Sequence, residues 1–277
     1  MSPSRPSGAP APWVETPPVH HRLPVYSLDG REAGHLTLPE AWSEPIRPDL
    51  IRRAVVAAQS HRRQPYGTSP TAGLRHSVEW SGKGRGVART PRLMNSMRGA
   101  QAPNTVGGRP AHPPKVDRIW AKKINDRERR KAFRSALAAT RDAKRCADRG
   151  HRVPPNVHLP IVLDDALEAI DSTQEARALL ERLKLWDDVA RARDHGQYRS
   201  GRARRRGRVR RTPKSVLVVT TADGRARGFA NLPGVEVVSA TRLSTEDLAP
   251  GGDAGRLTLF SQSSLRAVNE RVEPRDS

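Results

Sequence analysis

LPIVL at 159–163 and VLVVT at 216–220 decide the fold of this chain. Both are short apolar runs rich in β-branched residues, without the polar alternation of a half-exposed strand, and such runs are buried on both faces. VEVV at 235–238 and LTLF at 257–260 continue the series. Around them the spacing turns helical. Asp49 is placed to cap a helix with Leu50, Ile51, Ala54, Val55 and Ala58 on one face. Asn125-x-x-Glu128 has the form of a capping box and opens a long helix carrying Phe133, Ala136, Leu137, Thr140 and Ala147, stopped at Gly150. Ser172-x-x-Glu175 leads Ala176, Leu179, Leu180 and Leu183 in the same way. Near the start, two strand-like pieces flank an Asp29-Gly30 turn, a hairpin signal. Strand runs alternating with amphipathic helices predict an α/β fold: a mainly parallel, Rossmann-like sheet flanked by helices. The predicted globular domain covers residues 23–277 and follows a Pro-rich N-terminal extension, residues 1–22, expected to be flexible.

Composition sets this scaffold apart from two other stretches. The 277 residues carry a net charge of +21, with 35% hydrophobic and only 4% aromatic residues. Residues 62–115 contain Arg62, Arg63, Arg75, Lys83, Arg85, Arg89, Arg92, Arg98, Arg109 and Lys115 against the single acid Glu79. Residues 199–214 contain Arg199, Arg202, Arg204, Arg205, Arg206, Arg208, Arg210, Arg211 and Lys214 and no acid. Together they hold nearly all of the excess charge, and the rest of the chain is close to neutral. The first stretch is also dense in Gly and Pro, which keep long helices and central strands out of it. It reads as a long extended basic loop inserted after the first helix, and folded out and back it could span up to roughly 90 Å. The second reads as a basic loop before a central strand.

Arginines outnumber lysines sixteen to three in these stretches. The planar guanidinium suits bidentate phosphate contact and stacking on bases. Two such clusters on one chain point to nucleic acid rather than to a solvated face. Irregular Arg-Gly-Pro arms suit folded RNA, and no helix-turn-helix, finger or RNP signature is present. Tyr66 and Trp80 are candidates for stacking on bases.

Catalytic chemistry finds little. Gly82-Lys-Gly84-Arg-Gly86 lacks the Lys-Ser/Thr end of a Walker loop, and Val87 stands where the dinucleotide fingerprint needs Gly. The nine histidines form no His-x-x-x-His pair, and the lone Cys146 supplies neither a disulfide nor a zinc site. Asp164 and Asp165 sit at a strand-to-helix turn, but Asp165-x-x-Glu168 reads as a capping pattern. No catalytic residue, cofactor or metal is therefore expected. No apolar run reaches the roughly 20 residues of a spanning helix, so no membrane partner is expected and a cytoplasmic location is the default.

The chain from Pro24 to about Val272 resembles the large-subunit ribosomal protein L-four family in its archaeal and eukaryotic form. The resemblance is carried by PVYSLDG at 24–30, RPDLIRRAVVAAQSHRRQPYG at 47–67, GKGRGVARTPR at 82–92, GGRPAHPPK at 107–115, NDRERRKAFRSALAAT at 125–140 and EDLAPGGDAGRLTLFSQSSL at 246–265. It implies a structural constituent of the large ribosomal subunit that binds large-subunit rRNA and supports assembly, beside neighbouring large-subunit proteins. It further implies an arm around Gly84, Arg85, Gly86, Arg89 and Arg92 that helps line the polypeptide exit tunnel and meets the nascent polypeptide. Arg85 and Arg89 would contact rRNA on the inner arm, and Arg109 and Lys115 on its returning limb. A non-ribosomal RNA chaperone or RNA-modifying enzyme is the alternative.

Overall fold

The computed structural model describes residues 22–155 and 157–272. The expected extension therefore lies outside the described residues except for Arg22, which opens the first strand. The chain begins with strands β1 (Arg22–Tyr26) and β2 (Glu32–Thr37) and helix α1 (Pro48–His61), followed by strands β3 (Val78–Trp80) and β4 (Pro91–Leu93). Helices α2 (Asp126–Ala139) and α3 (Ala143–Asp148), strand β5 (Ile161–Leu163) and helices α4 (Thr173–Arg182) and α5 (Trp186–Asp194) come next. Strand β6 (Gln197–Tyr198), helix α6 (Gly201–Arg205) and strand β7 (Arg210–Arg211) precede β8 (Leu217–Thr220) and β9 (Glu236–Ser239). Helix α7 (Thr245–Leu248), strand β10 (Thr258–Ser261) and helix α8 (Gln262–Val272) complete the described chain. Two units emerge: one comprises the chain up to Ala58 together with Lys123 onward, the other Gln59–Lys122.

The first unit is a mixed α/β body around a six-stranded sheet ordered β2-β1-β5-β10-β8-β9. Only the β1–β2 hairpin is antiparallel. This order is not the 3-2-1-4-5-6 arrangement of the dinucleotide-binding fold, so the Rossmann-like reading is narrowed to a mostly parallel sheet flanked by helices. The central runs alternate between two cores. Ile161, Leu163, Val216, Val218 and Leu259 pack with Leu179 and Leu180 of α4 and Val189 of α5. Val162, Leu217, Val219 and Phe260 pack with Ile51 and Val55 of α1, Phe133 and Leu137 of α2, and Leu265 and Val268 of α8. Period-two side chains that are apolar on both faces require helices on both sides.

Several predicted helix starts differ in detail. The expected long helix is two, because α2 ends at Ala139 and the hydroxyl of its C-cap, Thr140, donates to the Leu137 carbonyl. Asp142 then accepts from the Lys144 and Arg145 amides and caps α3. Asn125 and Ser172 occupy N-cap positions without a side-chain cap bond. Asp49 lies inside the first turn of α1, paired with Arg47 at 2.7 Å. Asp164 rather than Asp165 caps the turn after β5, and Asp165 instead accepts from the Ser263 amide at the start of α8.

A buried carboxylate fixes the entry to β8. Asp188 of α5 is fully buried and accepts from the Arg152 amide (3.0 Å), Arg191 Nε (2.9 Å) and Ser215 Oγ (2.6 Å), with His151 Nδ1 at 3.0 Å. Ser215 also donates its amide to Gly234 and accepts from Arg256 Nε at its carbonyl. Burial alone would raise the Asp188 carboxyl, but the hydrogen bonds and charge of His151, with Arg191 and Ser215, outweigh it and hold it well below the usual carboxylate range. Its stabilisation is therefore complete above the unfolded value of about 3.9 and is lost as pH falls through the lower folded value. Asp188→Asn is expected to cost about 3 kcal/mol at neutral pH, because His151 and Arg191 lose a buried anionic partner. Chemical denaturation across pH checks this: the gap between the two proteins should close as the pH falls into the acid range.

Candidate nucleic-acid interface

The second unit starts from two limbs of chain that are stitched together by hydrogen bonds from backbone amides. The Lys122 amide donates to Ser60 Oγ at 2.9 Å, and the Thr68 amide donates to the Pro114 carbonyl at 3.1 Å. Gly67 lies so close to the returning limb that a Cβ would stand 2.8 Å from both the Pro114 carbonyl oxygen and the Val116 nitrogen. Gly73, at φ +76°, would place one 2.6 Å from the Arg109 Cα. Neither position has room for a side chain on this side of the backbone. Farther along, Gln101 Nε2 bonds the Leu74 and His76 carbonyls. The short β3–β4 ladder is extended by the 98–100 segment through Leu93–Arg98 and Ala100–Pro91 backbone bonds. Glycine and proline rule out long helices here, and backbone bonds between short pieces supply the order instead.

Of the basic residues singled out in this unit, Arg62, Arg63, Arg75, Lys83, Arg85, Arg89, Arg98, Arg109 and Lys115 are exposed. Lys83, Arg85 and Arg89, together with Gly84 and Gly86, lie in an exposed segment without regular structure between β3 and β4. Arg92 differs: half-buried, it donates from Nη1 to the Met97 carbonyl at 2.7 Å and from Nη2 to the Ala88 carbonyl at 3.2 Å. Its guanidinium bridges the β4 turn through one bond from each terminal nitrogen. Arg75 Nε donates to Thr71 Oγ1. Arg63 lies over the indole of Trp120, 3.9 Å from its centroid.

In the α/β unit, the segment expected to be a basic loop is folded. β6 and β7 pair as Gln197–Arg211 and Tyr198–Arg210, and α6 sits between them. The Arg206, Gly207 and Arg208 amides bond carbonyls of α6 and close its end. Arg202, Arg204, Arg205, Arg206, Arg208, Arg210 and Arg211 are all exposed. Arg210 also lies 5.1 Å from the ring centroid of Tyr198. Like charges three and four positions apart on a short helix repel by a few tenths of a kcal/mol per pair. The hairpin is nevertheless held where the chain leaves it, by Asp188 bonding Ser215 and by Arg191 Nη2 bonding the Lys214 carbonyl at 3.0 Å. Lys214 itself pairs with Glu236.

Sequence reading missed Trp120 and Arg118, which lie just beyond the basic segment's last lysine. The signal was an aromatic flanked by Arg118 and Lys122. Tyr66 stacks on Trp120 with centroids 5.3 Å apart and planes inclined by 15°, and Arg118 lies 4.5 Å from the same ring. An aromatic pair of this kind adds about 0.5–1.5 kcal/mol beyond its burial. Trp80, on β3, is 67% exposed.

The groups considered for catalysis have other occupations. Cys146 is buried and its thiol is pushed up to about 12, by burial first and Asp142 second, so it stays protonated at neutral pH. Glu168 Oε1 accepts from the Thr221 amide and hydroxyl and from Ser261 Oγ. Among the described residues no group of three or more His, Cys, Asp or Glu could hold a metal ion, and no helix is long and apolar enough to cross a membrane.

Comparison with known proteins gives the family. Residues 36–271 match the Ribosomal protein L4/L1 family. The large ribosomal subunit protein uL4 of Methanopyrus kandleri is 45% identical over 255 residues, covering 90% of this chain and 98% of its own. That of Halorubrum lacusprofundi is 46% identical and that of Natronomonas pharaonis 47%, each over 247 residues, 89% of this chain and 98% of theirs. Since the match runs from the edge strand β2 into α8 and so takes in both basic elements, the chain belongs to the ribosomal protein L4/L1 family.

Proposed function

We propose that this protein is a structural constituent of the large ribosomal subunit in the cytoplasm, where it binds large-subunit rRNA and supports assembly. The observation that carries the reading is the pair of exposed, arginine-rich and acid-poor elements on a chain of this family. The 59–122 unit is the rRNA-binding arm, with Arg62, Arg63, Arg75, Lys83, Arg85, Arg89, Arg98, Arg109 and Lys115 as its phosphate contacts. The β6–α6–β7 hairpin is a second contact through Arg202, Arg204, Arg205, Arg206, Arg208, Arg210 and Arg211. The exposed segment around Gly84, Arg85, Gly86 and Arg89 is the part that helps line the polypeptide exit tunnel beside the nascent polypeptide. Neighbouring large-subunit proteins are the remaining partners.

Physical chemistry supports RNA as the counterpart. Repulsion among the hairpin arginines is relieved by phosphates, and binding releases the counterions condensed on the nucleic acid. The catalytic alternative has no comparable support, since Cys146 and Glu168 are committed to the core.

The protein should remain with large subunits through a high-salt wash in sedimentation; quantitative release there would sink the ribosomal reading. For a large-subunit rRNA fragment, replacing Arg85 and Arg89 together by Ala should lower the slope of log K against log salt by about 1.5. A titration series at several salt concentrations reads this directly. Excising residues 74–108 and joining Gly73 to Arg109, whose backbones already touch, should leave the cooperative unfolding of the α/β body in place while impairing subunit assembly. Calorimetry of the excised protein checks the first part and gradient profiles the second.

A further inference from the structure

Tyr66, Trp120, Arg63 and Arg118 make a layered group of planar side chains that phosphate binding alone does not call for. We propose that this stack is a seat for one unpaired nucleobase of RNA, received on the outer face of Tyr66. The proposal rests on the RNA-binding reading above and adds to it a base-contacting residue.

The geometry is already set before any ligand arrives. Tyr66 and Trp120 are fifty-four positions apart in sequence, yet their rings lie nearly parallel because the limbs that carry them are bonded at Ser60–Lys122 and Thr68–Pro114. One face of Tyr66 meets the indole, and with 56% of the residue exposed its other face is open to solvent. Arg63 and Arg118 pack on the indole itself and provide positive charge beside the stack. Lys115, on the same limb as Arg118, is exposed and within a few residues of it. A flat, electron-rich face bordered by cations suits a base with phosphates on either side of it. An aromatic peptide side chain would use the ring but not the cations.

Direct binding of the full chain to two strands of equal charge separates the base from the phosphates. One is an oligoadenylate of about twelve nucleotides, the other an abasic ribose-phosphate strand of the same length. The wild-type protein should prefer the oligoadenylate by roughly tenfold, the size expected for one base stacked on an aromatic ring. Tyr66→Ala should remove most of that preference while keeping the salt-dependent binding of the abasic strand, and Tyr66→Phe should restore it. Tyr66→Leu, which keeps an apolar cover on Trp120 but offers no ring face, guards against a collapsed neck and should behave as the alanine variant does. Equal binding of both strands by the wild type overturns the proposal, and so does a preference that survives in both the alanine and leucine variants. Binding of neither strand would remove the RNA reading itself, a different result from losing only the preference for bases.

Discussion

Burial of β5, β10 and β8 on both faces is the constraint from which the rest of the molecule follows. A strand that is apolar on both sides cannot meet water on either, so each must be followed by chain that covers it. The helices α1, α2 and α8 on one side and α4 and α5 on the other satisfy that requirement. Once both faces are taken, charge sits at the periphery of the body or in buried groups bonded to it, such as Asp188 and Arg256. The excess of positive charge is accordingly gathered into excursions, one leaving at the end of α1 and one between α5 and β8.

Those excursions are ordered in different ways. The 59–122 unit has almost no regular structure and depends on backbone bonds between limbs, with glycine at the points of closest approach. The β6–α6–β7 hairpin is regular but electrostatically unfavourable, and is held from outside by Asp188, Arg191 and Arg256 acting on Lys214 and Ser215. In both, the protein orders the backbone and leaves the guanidinium groups outward, where a polyanion can neutralise them.

Most of the body was legible because hydrophobic periodicity is a strong local signal. The runs at 159–163 and 216–220 became β5 and β8, and the Asp29-Gly30 turn joins a true hairpin. What escaped depended on partners distant in sequence. Nothing near Arg92 announces that its guanidinium closes a turn onto Met97 and Ala88, because the same residue type serves equally as a phosphate ligand. The break at Thr140 was hidden by apolar residues that continue the helical spacing across it into α3. Capping patterns at Asn125 and Ser172 marked the correct positions but not the bonds, since a side chain at an exposed N-cap can be satisfied by water instead. The Tyr66–Trp120 stack was invisible for the plainest reason, a separation of fifty-four residues.

The neck between the two limbs also bears on how this chain tolerates change in length. Closing a flexible loop costs entropy that grows only with the logarithm of its length, about 0.6 kcal/mol for each doubling. The bonds at Ser60–Lys122 and Thr68–Pro114 meet that cost near the base, so residues beyond Gly73 and Arg109 add little to it. Insertions or deletions beyond the neck are therefore thermodynamically cheap, whereas a single Cβ at Gly67 is not. Sequence length is free to drift at the far end of the unit, while Gly67 and Gly73 hold its root to the smallest residue.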